Sequence, residues 1–329
     1  MKCKRTYQSL RPLGLVLVCV LLFSACSSLN SQHSGLHNWT IPGTFRWADA
    51  EDVDNLNPLL STETLVNELS AFTMGYFFVF NDKGEPVPSL CLQVPTKQNH
   101  LISPDGKALT FKLRHGVKWQ DGAPFTSADV AFTVKTILDP STNVLTRVGW
   151  DLIKRVDTPD PYTVVFHLSQ PFAAFMNRYF TPVGNPAILP KHLLAGRDIN
   201  HSPYNSLPVG IGPFKYIRWS RGNEVVMEVS KNWWGGKPKL KTVIFKIIPD
   251  ENTAMTQLQT HEIDAYVRVP NSQYLQVRAL PNIKTIDYDT TGYGHIDFNL
   301  QNPALADLRV RQALAHAIDM RTLWEKIDH

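Results

Sequence analysis

Apolar and polar residues alternate along several short stretches of this chain, in the pattern of half-buried β-strands. Residues 44–47, 109–113 and 162–168 each place apolar side chains at every second position. Apolar runs at 225–229 and 243–248 are also typical of strands because they are short and rich in Val and Ile. The pattern therefore predicts strands distributed over most of the chain.

Helical periodicity separates these strands. Residues 64–80 carry apolar side chains at helical spacing and predict one long helix. Thr126–Asp129 has the composition of a capping box, which predicts a helix that continues to Leu138. Residues 252–260 predict a shorter helix, and residues 307–328 predict an amphipathic one. Strands and helices joined by irregular connections indicate an α/β or α+β protein.

The first 25 residues differ from the rest. Four basic residues precede an apolar run from Leu13 to Phe23, which has the length of a signal-peptide core and is shorter than the roughly 20 residues of a membrane span. Residues 22–26 read Leu-Phe-Ser-Ala-Cys and resemble a lipobox. We therefore expect a signal peptide at 1–25 and a lipid-anchored tether at 26–38, with the lipid on Cys26. An ordinary cleaved signal is the alternative.

Charge and cysteine usage follow from this segment. The chain has 33 Lys and Arg against 29 Asp and Glu, and the signal contains four of the basic residues and no acidic one. The remainder is formally neutral, so its charge gives no reason to predict nucleic-acid binding. Cys3 and Cys19 lie in the signal and Cys26 would carry the lipid, which leaves Cys91 without a disulfide partner.

Eight blocks of the sequence follow one another along the chain: Ser103–Gly106, 109–130, Val209–Phe214, Asn232–Pro238, Ile248–Asp250, His261–Asp264, Asp297–Leu300 and Leu308–Asp319. In this order they resemble the peptide and nickel solute-binding proteins of ABC importers, the dipeptide- and oligopeptide-binding class known as family 5. Most of their glycines and turns are typical of scaffold rather than of ligand contacts. Ile211 departs from the family pattern, in which Thr is more usual at that position.

The resemblance implies a periplasmic-binding-protein-like type II fold of the α/β class, with two lobes that close on a ligand by a hinge. Residues 39–290 would form the first lobe, with an inserted subdomain at about residues 76–206. Residues 291–329 would cross the hinge and begin a second lobe. Because family members are substantially longer, we expect mainly the first lobe to be present, as a fragment or truncated product. A complete compact variant is the alternative.

The function that the resemblance implies is the lipid-anchored substrate-binding subunit of an ABC importer. Such a protein captures short peptides at the periplasmic or extracytoplasmic face of the membrane and delivers them to the permease subunits. Nickel chelates, oligosaccharides and haem are alternative ligands, and no cofactor is expected. The positions that match ligand-bordering residues of the family are Thr62, Glu63 and Thr64 in the first lobe, and Tyr293, His295 and Asn299 near the hinge and cleft floor.

Two other functions compete with this interpretation. An enzyme would need a catalytic signature, but the chain has no G-x-S-x-G and no second histidine four residues after His261, and Pro238 excludes a P-loop at Gly236-Lys237. We predict neither catalysis nor a metal site, because His33 and His37 lie in the tether. A lipid-anchored surface or chaperone-like binding protein is the other alternative, which a large exposed apolar patch on the first lobe would favour.

Overall fold

The computed structural model describes residues 39–182, 186–287 and 295–323. The predicted signal, the tether and Cys26 lie outside the described residues, and so does Tyr293. From Ile41 onward the described residues belong to one compact unit. None of the helices in these three ranges has the length and apolar character that a membrane crossing requires.

Strands and helices follow one another irregularly along the chain, as the predicted α/β class requires. Short 3₁₀ turns occur at Trp150–Leu152, Ala173–Asn177 and Pro203–Ser206. In chain order the elements are β1 (Thr44–Asp49), α1 (Thr64–Thr73), β2 (Phe78–Phe80), β3 (Pro86–Pro88), β4 (Ala108–Lys112), α2 (Ser127–Leu138), β5 (Ile153–Asp160), β6 (Thr163–Leu168), α3 (Lys191–Leu194), β7 (Phe214–Ser220), β8 (Glu224–Val229), β9 (Thr242–Ile247), α4 (Glu251–Gln259), β10 (Ala265–Tyr266), α5 (Asn271–Arg278), α6 (Pro303–Ala306), α7 (Leu308–Ala317) and α8 (Met320–Leu323).

The larger sheet joins distant parts of the chain in the strand order β10-β1-β9-β8-β7. Strand β1 runs parallel to β9 and β10, whereas β7, β8 and β9 are antiparallel neighbours. One face of this sheet packs against α1, with Trp47, Val225 and Phe245 in the same buried cluster as Leu65 and Leu69. Because β1, β9 and β10 are parallel, their carboxyl ends lie at the same end of the sheet, where ligands of open α/β sheets commonly bind.

The smaller sheet is antiparallel, in the order β4-β6-β5, and α2 packs against it. The alternation predicted for β4 is confirmed, because Leu109, Phe111 and Leu113 are all buried. Phe111 is the centre of an aromatic group, with its ring centroid 4.7 Å from that of Phe77 and 5.1 Å from that of Phe166. The smaller sheet and α2 therefore have a closely packed hydrophobic core of their own.

The capping box at the start of α2 is confirmed. The Thr126 amide donates to Asp129 Oδ2 at 2.9 Å, and the Lys191 amide donates to Oδ1 at 3.0 Å. Burial raises the pKa of the Asp129 carboxyl, while these two amide donors offset part of that effect. Asp129 therefore starts the helix and also attaches the beginning of α3 to it.

Gln120 joins the end of α1, the glycine turn and the start of β7 through backbone groups. Its Nε2 donates to Phe214 O at 2.6 Å and to Thr73 O at 3.0 Å, and its Oε1 accepts from the Gly210 amide at 2.9 Å. Gly210 lies so close to α1 that an added Cβ would be 1.9 Å from Thr73 O. These contacts support a scaffold role for the glycine turn at Val209–Phe214.

One helix is shorter than its apolar spacing predicts. The expected helix over 64–80 ends at Thr73, and Phe78–Phe80 forms β2 instead, paired with β3. The reason is that consecutive residues enter different cores: Tyr76 packs under the larger sheet, while Phe77 and Phe78 pack under the smaller one. The main chain here also pairs with distant segments instead of the preceding turn, since the Phe77 amide donates to Phe180 O at 2.8 Å and Phe77 O accepts from the Ser89 amide at 2.9 Å.

The predicted helix over 307–328 is also interrupted. It is continuous only over Leu308–Ala317, and α8 begins at Met320. Asp319 causes the break because its Oδ1 accepts from the amides of Arg321 and Thr322, each at 3.1 Å, in the manner of an N-cap. Residues 324–329 lie outside the described part of the chain.

Candidate functional site

The first-lobe candidates lie together at the amino end of α1. Thr62 and Thr64 are exposed, and Glu63 is the N-cap residue, whose side chain makes no capping hydrogen bond. The Glu63 amide donates to Ser61 Oγ at 3.1 Å, and Ser61 Oγ donates to Asp54 Oδ1 at 2.6 Å. These contacts hold the backbone before α1 while both threonine side chains face solvent.

The preceding turn is anchored in the protein interior by Asn57. This residue is completely buried, and its Nδ2 donates to Asn205 Oδ1 at 2.8 Å. Its Oδ1 accepts from the Leu59 amide at 3.1 Å, and the Leu56 amide donates to Asn205 O at 2.8 Å. A buried amide with its polar atoms paired fixes the local backbone. Buried hydrogen bonds therefore hold in place the backbone that leads to Thr62–Thr64.

A charged cluster lies at the carboxyl ends of β1 and β10, next to this segment. The Arg268 guanidinium forms ion pairs with Asp49, with Glu51 at 3.7 Å and with Glu68 at 2.8 Å. Glu68 is four residues after Thr64 on α1, so the two side chains share one helix face. Arg268 and the three carboxylates are called the edge cluster below.

Two carboxyl groups of the edge cluster, Asp49 and Glu68, have pKa values above the ordinary range of their side chains. Burial raises the pKa of Asp49 above its ordinary value, and the attraction of Arg268 only partly offsets this effect. Burial raises the pKa of Glu68 as well, again against the attraction of Arg268. With three carboxylates around one guanidinium, the edge cluster has an excess of negative charge when its acids are ionised.

Arg268 has a backbone conformation that is rare for a residue with a side chain. Its φ is +54°, in the left-handed region. Such a conformation costs on the order of 1–3 kcal/mol and often occurs at functional positions. The neighbouring Val267 amide donates to Ala48 O at 3.1 Å, which holds this part of the chain against the end of β1.

A bidentate ion pair aligns β10 with β1. Arg46 Nη2 donates to Asp264 Oδ1 at 2.7 Å and Nε donates to Oδ2 at 3.0 Å. This hydrogen bonding raises the pKa of the Arg46 guanidinium. The Asp264 amide also donates to Arg46 O at 2.8 Å, so the side-chain and main-chain contacts together determine where Arg268 emerges.

The hinge-side candidates that the structure describes lie on an exposed segment. His295 Nε2 is 3.3 Å from Asp297 Oδ2, and Asn299 Oδ1 accepts from the Gln301 amide at 3.0 Å. These contacts are local in sequence and do not join His295 or Asn299 to the residues at the start of α1. The ligand role of all six candidates, including Tyr293, stays a prediction.

Sequence reasoning missed the edge cluster. The strand predicted over 44–47 extends to Asp49, whose side chain is only 3% exposed. The available signal was Arg268, a cation two residues after a short strand, yet its importance depends on the parallel pairing of β10 with β1. Within the described ranges, no three His, Cys, Asp or Glu side chains are arranged to hold a metal.

The described residues also form a polar cavity close to the anchored turn. Its volume is about 340 Å³, and Asn55, Leu60, Asn200, Ser202 and Arg221 are among its lining residues. Amide, hydroxyl and guanidinium groups of this kind can bind polar solutes through hydrogen bonds. The cavity adjoins the turn that Asn57 anchors, because Asn205, the hydrogen-bond partner of Asn57, is also among its lining residues.

Comparison with known proteins identifies similar chains. The family described as "Bacterial extracellular solute-binding proteins, family 5 Middle" matches residues 85–328. The chain is 27% identical to the oligopeptide-binding protein AppA of Bacillus subtilis, over 98% of this chain and 59% of that protein. It is 30% identical to protein XP55 of Streptomyces lividans, over 73% of this chain and 42% of that protein.

Solved structures show the same similarity. NikZ from Campylobacter jejuni in complex with Ni(L-His) superposes with a TM-score of 0.77 at 28% identity, over 87% of this chain and 55% of NikZ. AppA from Bacillus subtilis in complex with a nonapeptide has the same TM-score at 27% identity, over 87% of this chain and 56% of AppA. The chain thus spans little more than half the length of these two proteins, whose fold is the predicted type II periplasmic-binding-protein fold.

Proposed function

Because the chain belongs to family 5 of the bacterial extracellular solute-binding proteins, we propose that the whole protein is the solute-capturing subunit of an ABC importer, with short peptides as its ligands. Proteins of this family bind solutes and are not enzymes. The observation that carries the proposal is the edge cluster, at the carboxyl ends of parallel strands beside Thr62–Thr64. The AppA complex with a nonapeptide supports peptides as the ligand class.

The proposed binding mode uses the charges and the backbone of this edge. An extended peptide lies along Thr62–Thr64 and forms main-chain hydrogen bonds that do not depend on its side chains. The carboxylates Asp49, Glu51 and Glu68 attract the peptide ammonium group, because they outnumber the guanidinium of Arg268. In this proposal Tyr293, His295 and Asn299 border the same ligand from the hinge side.

The proposed cellular role follows from the N-terminal sequence. Residues 1–25 direct export, Cys26 carries the lipid, and the polar residues 26–38 tether the folded part to the membrane surface. Capture then takes place on the periplasmic or extracytoplasmic face, where the permease subunits of the importer receive the solute. Oligosaccharides and haem are alternative ligands that no contact in the structure favours.

A nickel chelate is the second candidate ligand. The similarity to NikZ in complex with Ni(L-His) favours it, at 28% identity. A 1:1 chelate of Ni²⁺ with histidine carries a net positive charge from the metal, so the excess of negative charge at the edge cluster would attract it, as it would attract a peptide ammonium group. The two ligand classes therefore have to be distinguished by experiment.

Thermal unfolding of the chain with a mixture of tripeptides to nonapeptides tests the proposal. A ligand that binds only the folded state stabilises it by about 2.7 kcal/mol at a concentration of 100 Kd, which raises the midpoint. We expect this rise for the unsubstituted chain and its loss in Thr62→Trp and Thr64→Trp, whose bulky side chains occupy the peptide path. Both positions are exposed, so the midpoint without peptide should change little.

Thr260→Trp is the matched control. Thr260 is also exposed, but it lies at the far end of α4 from the carboxyl edge of the sheet. It should retain the full rise of the midpoint with peptides. A rise with Ni(L-His) but not with peptides would assign the nickel chelate instead. The absence of a rise with both would contradict solute binding by this chain.

A further inference from the structure

A groove on the smaller sheet lies away from the edge cluster. It has a volume of about 610 Å³ and runs between α2 and β5, which is the last strand of the order β4-β6-β5. Within the described residues, β5 pairs with β6 alone. At its far end Asp160 O accepts from Ser127 Oγ at 2.8 Å, so the part of its other edge that is open to a further strand is residues 154–158. A helix beside an open strand edge is a geometry in which an extended segment can add to a sheet.

The groove combines an apolar floor with a basic rim. Ala131, Val134, Leu138 and Val156 contribute apolar surface, and Lys135, Lys154 and Arg155 contribute positive charge. An extended segment could contact both the apolar floor and the basic rim, since alternate side chains of a strand point to opposite sides. One set of side chains could then meet the apolar floor while the other faces the cations.

The charges of this rim are only partly neutralised. Lys135 and Lys154 are exposed, and neither ammonium group forms a salt bridge within the described ranges. Arg155 is paired with Asp157 at 2.9 Å. Asp139 is the acidic residue of the groove lining, and hydrogen bonds from Ser141 lower the pKa of its carboxyl. The rim therefore keeps a net positive charge at neutral pH.

We propose that the groove binds an extended, acidic segment of a partner protein, which adds to the free edge of β5 as a strand. Main-chain hydrogen bonds to β5 give the affinity, and the carboxylates of the segment face Lys135 and Lys154. A second copy of this chain fits less well, because two identical basic rims would repel each other across a symmetric contact.

The test uses a fluorescently labelled ten-residue peptide of alternating Val and Glu, with binding followed by fluorescence anisotropy. We expect the double variant Lys135→Glu and Lys154→Glu to bind this peptide at least tenfold more weakly than the unsubstituted chain. The matched control is Lys83→Glu with Lys239→Glu, which makes the same charge change at exposed positions outside the groove. This control should bind the peptide with at least half the original affinity.

Hydrogen exchange on the same samples locates the peptide. We expect it to slow amide exchange in residues 154–158 of β5, because a strand partner protects the amides that face it. Slowed exchange at residues 62–64, with unchanged affinity in the Lys135→Glu, Lys154→Glu variant, would place the peptide at the edge cluster and overturn the proposal. Equal binding of an alternating Val and Lys peptide, or self-association that needs the two lysines, would overturn it as well.

Discussion

Two helices of this protein have the same amphipathic pattern and opposite surroundings. Helix α2 buries Val130, Val134 and Ile137 in the core of the smaller sheet. Helix α7 has Val310 and Leu314 on its apolar face, yet none of its residues is buried. The comparison teaches that periodicity identifies the apolar face of a helix, whereas the presence of a covering surface is a property of the whole fold.

Acidic residues show the same contrast between buried and exposed parts of the molecule. At the edge cluster, burial raises the pKa of Asp49 and Glu68. On the exposed segment, the pKa of Asp307 is lowered by hydrogen bonds from Arg309, and that of Asp319 by hydrogen bonds from Thr322. Identical side-chain types thus shift in opposite directions because one environment removes water and the other retains it.

The largest expected difference between the regions is in core packing. Phe111→Ala should lower the free energy of unfolding by about 3–5 kcal/mol, because it removes a buried ring and leaves a cavity. Leu314→Ala, on the exposed face of α7, should change it by less than about 0.5 kcal/mol. Urea denaturation of both variants measures this difference. Equal losses would show that the face of α7 is covered in solution.

A smaller effect is expected from added volume at the junction with α1. Gly210→Ala should destabilise the protein by about 1–3 kcal/mol, because its Cβ would collide with Thr73 O and force the backbone to move. Ala313→Val adds volume at an exposed position of α7 and should cost only a few tenths of a kcal/mol. Denaturant midpoints compare the two variants, and a neutral Gly210→Ala would contradict the close packing.

The smallest expected effect on stability is its dependence on pH, and this dependence has opposite signs for Asp49 and Asp307. Carboxyl NMR titration should give Asp49 a midpoint above its ordinary value and Asp307 a midpoint below it. Because the folded state holds the Asp49 proton more tightly, the contribution of Asp49 to stability decreases as pH rises from its unfolded pKa through its folded pKa. The contribution of Asp307 has the opposite sign and is lost as pH falls through its folded pKa.

Substitutions at the edge cluster check the cause of this shift. Asp49→Asn should remove its part of the pH dependence of stability, measured by denaturation at several pH values. Arg268→Ala should raise the pKa of Asp49 further, because the attraction that favours its charged form is lost. A lower pKa of Asp49 in Arg268→Ala would contradict the expectation that the guanidinium favours the charged form of this carboxyl.

Local patterns were sufficient for much of the fold. The capping box predicted the start of α2, and strict alternation predicted which side of β4 and β6 is buried. These features depend on residues close in sequence, so a single chain carries the information. Tyr76–Phe78 was different. Its apolar spacing fitted a helix, but Tyr76 packs in one core while Phe77 and Phe78 pack in the other.

For the candidate site, the family resemblance proposed Thr62–Thr64 and the hinge-side positions, whose ligand role stays a prediction, whereas the sequence by itself did not identify Asp49, Glu68 and Arg268 as neighbours. What the sequence alone determined was the class of the fold, its family and the periodic faces of its elements. Only the tertiary structure decided which faces are covered and which charges meet. The physical reason is that burial and charge pairing arise between residues far apart in the chain, here some 200 positions apart for Glu68 and Arg268.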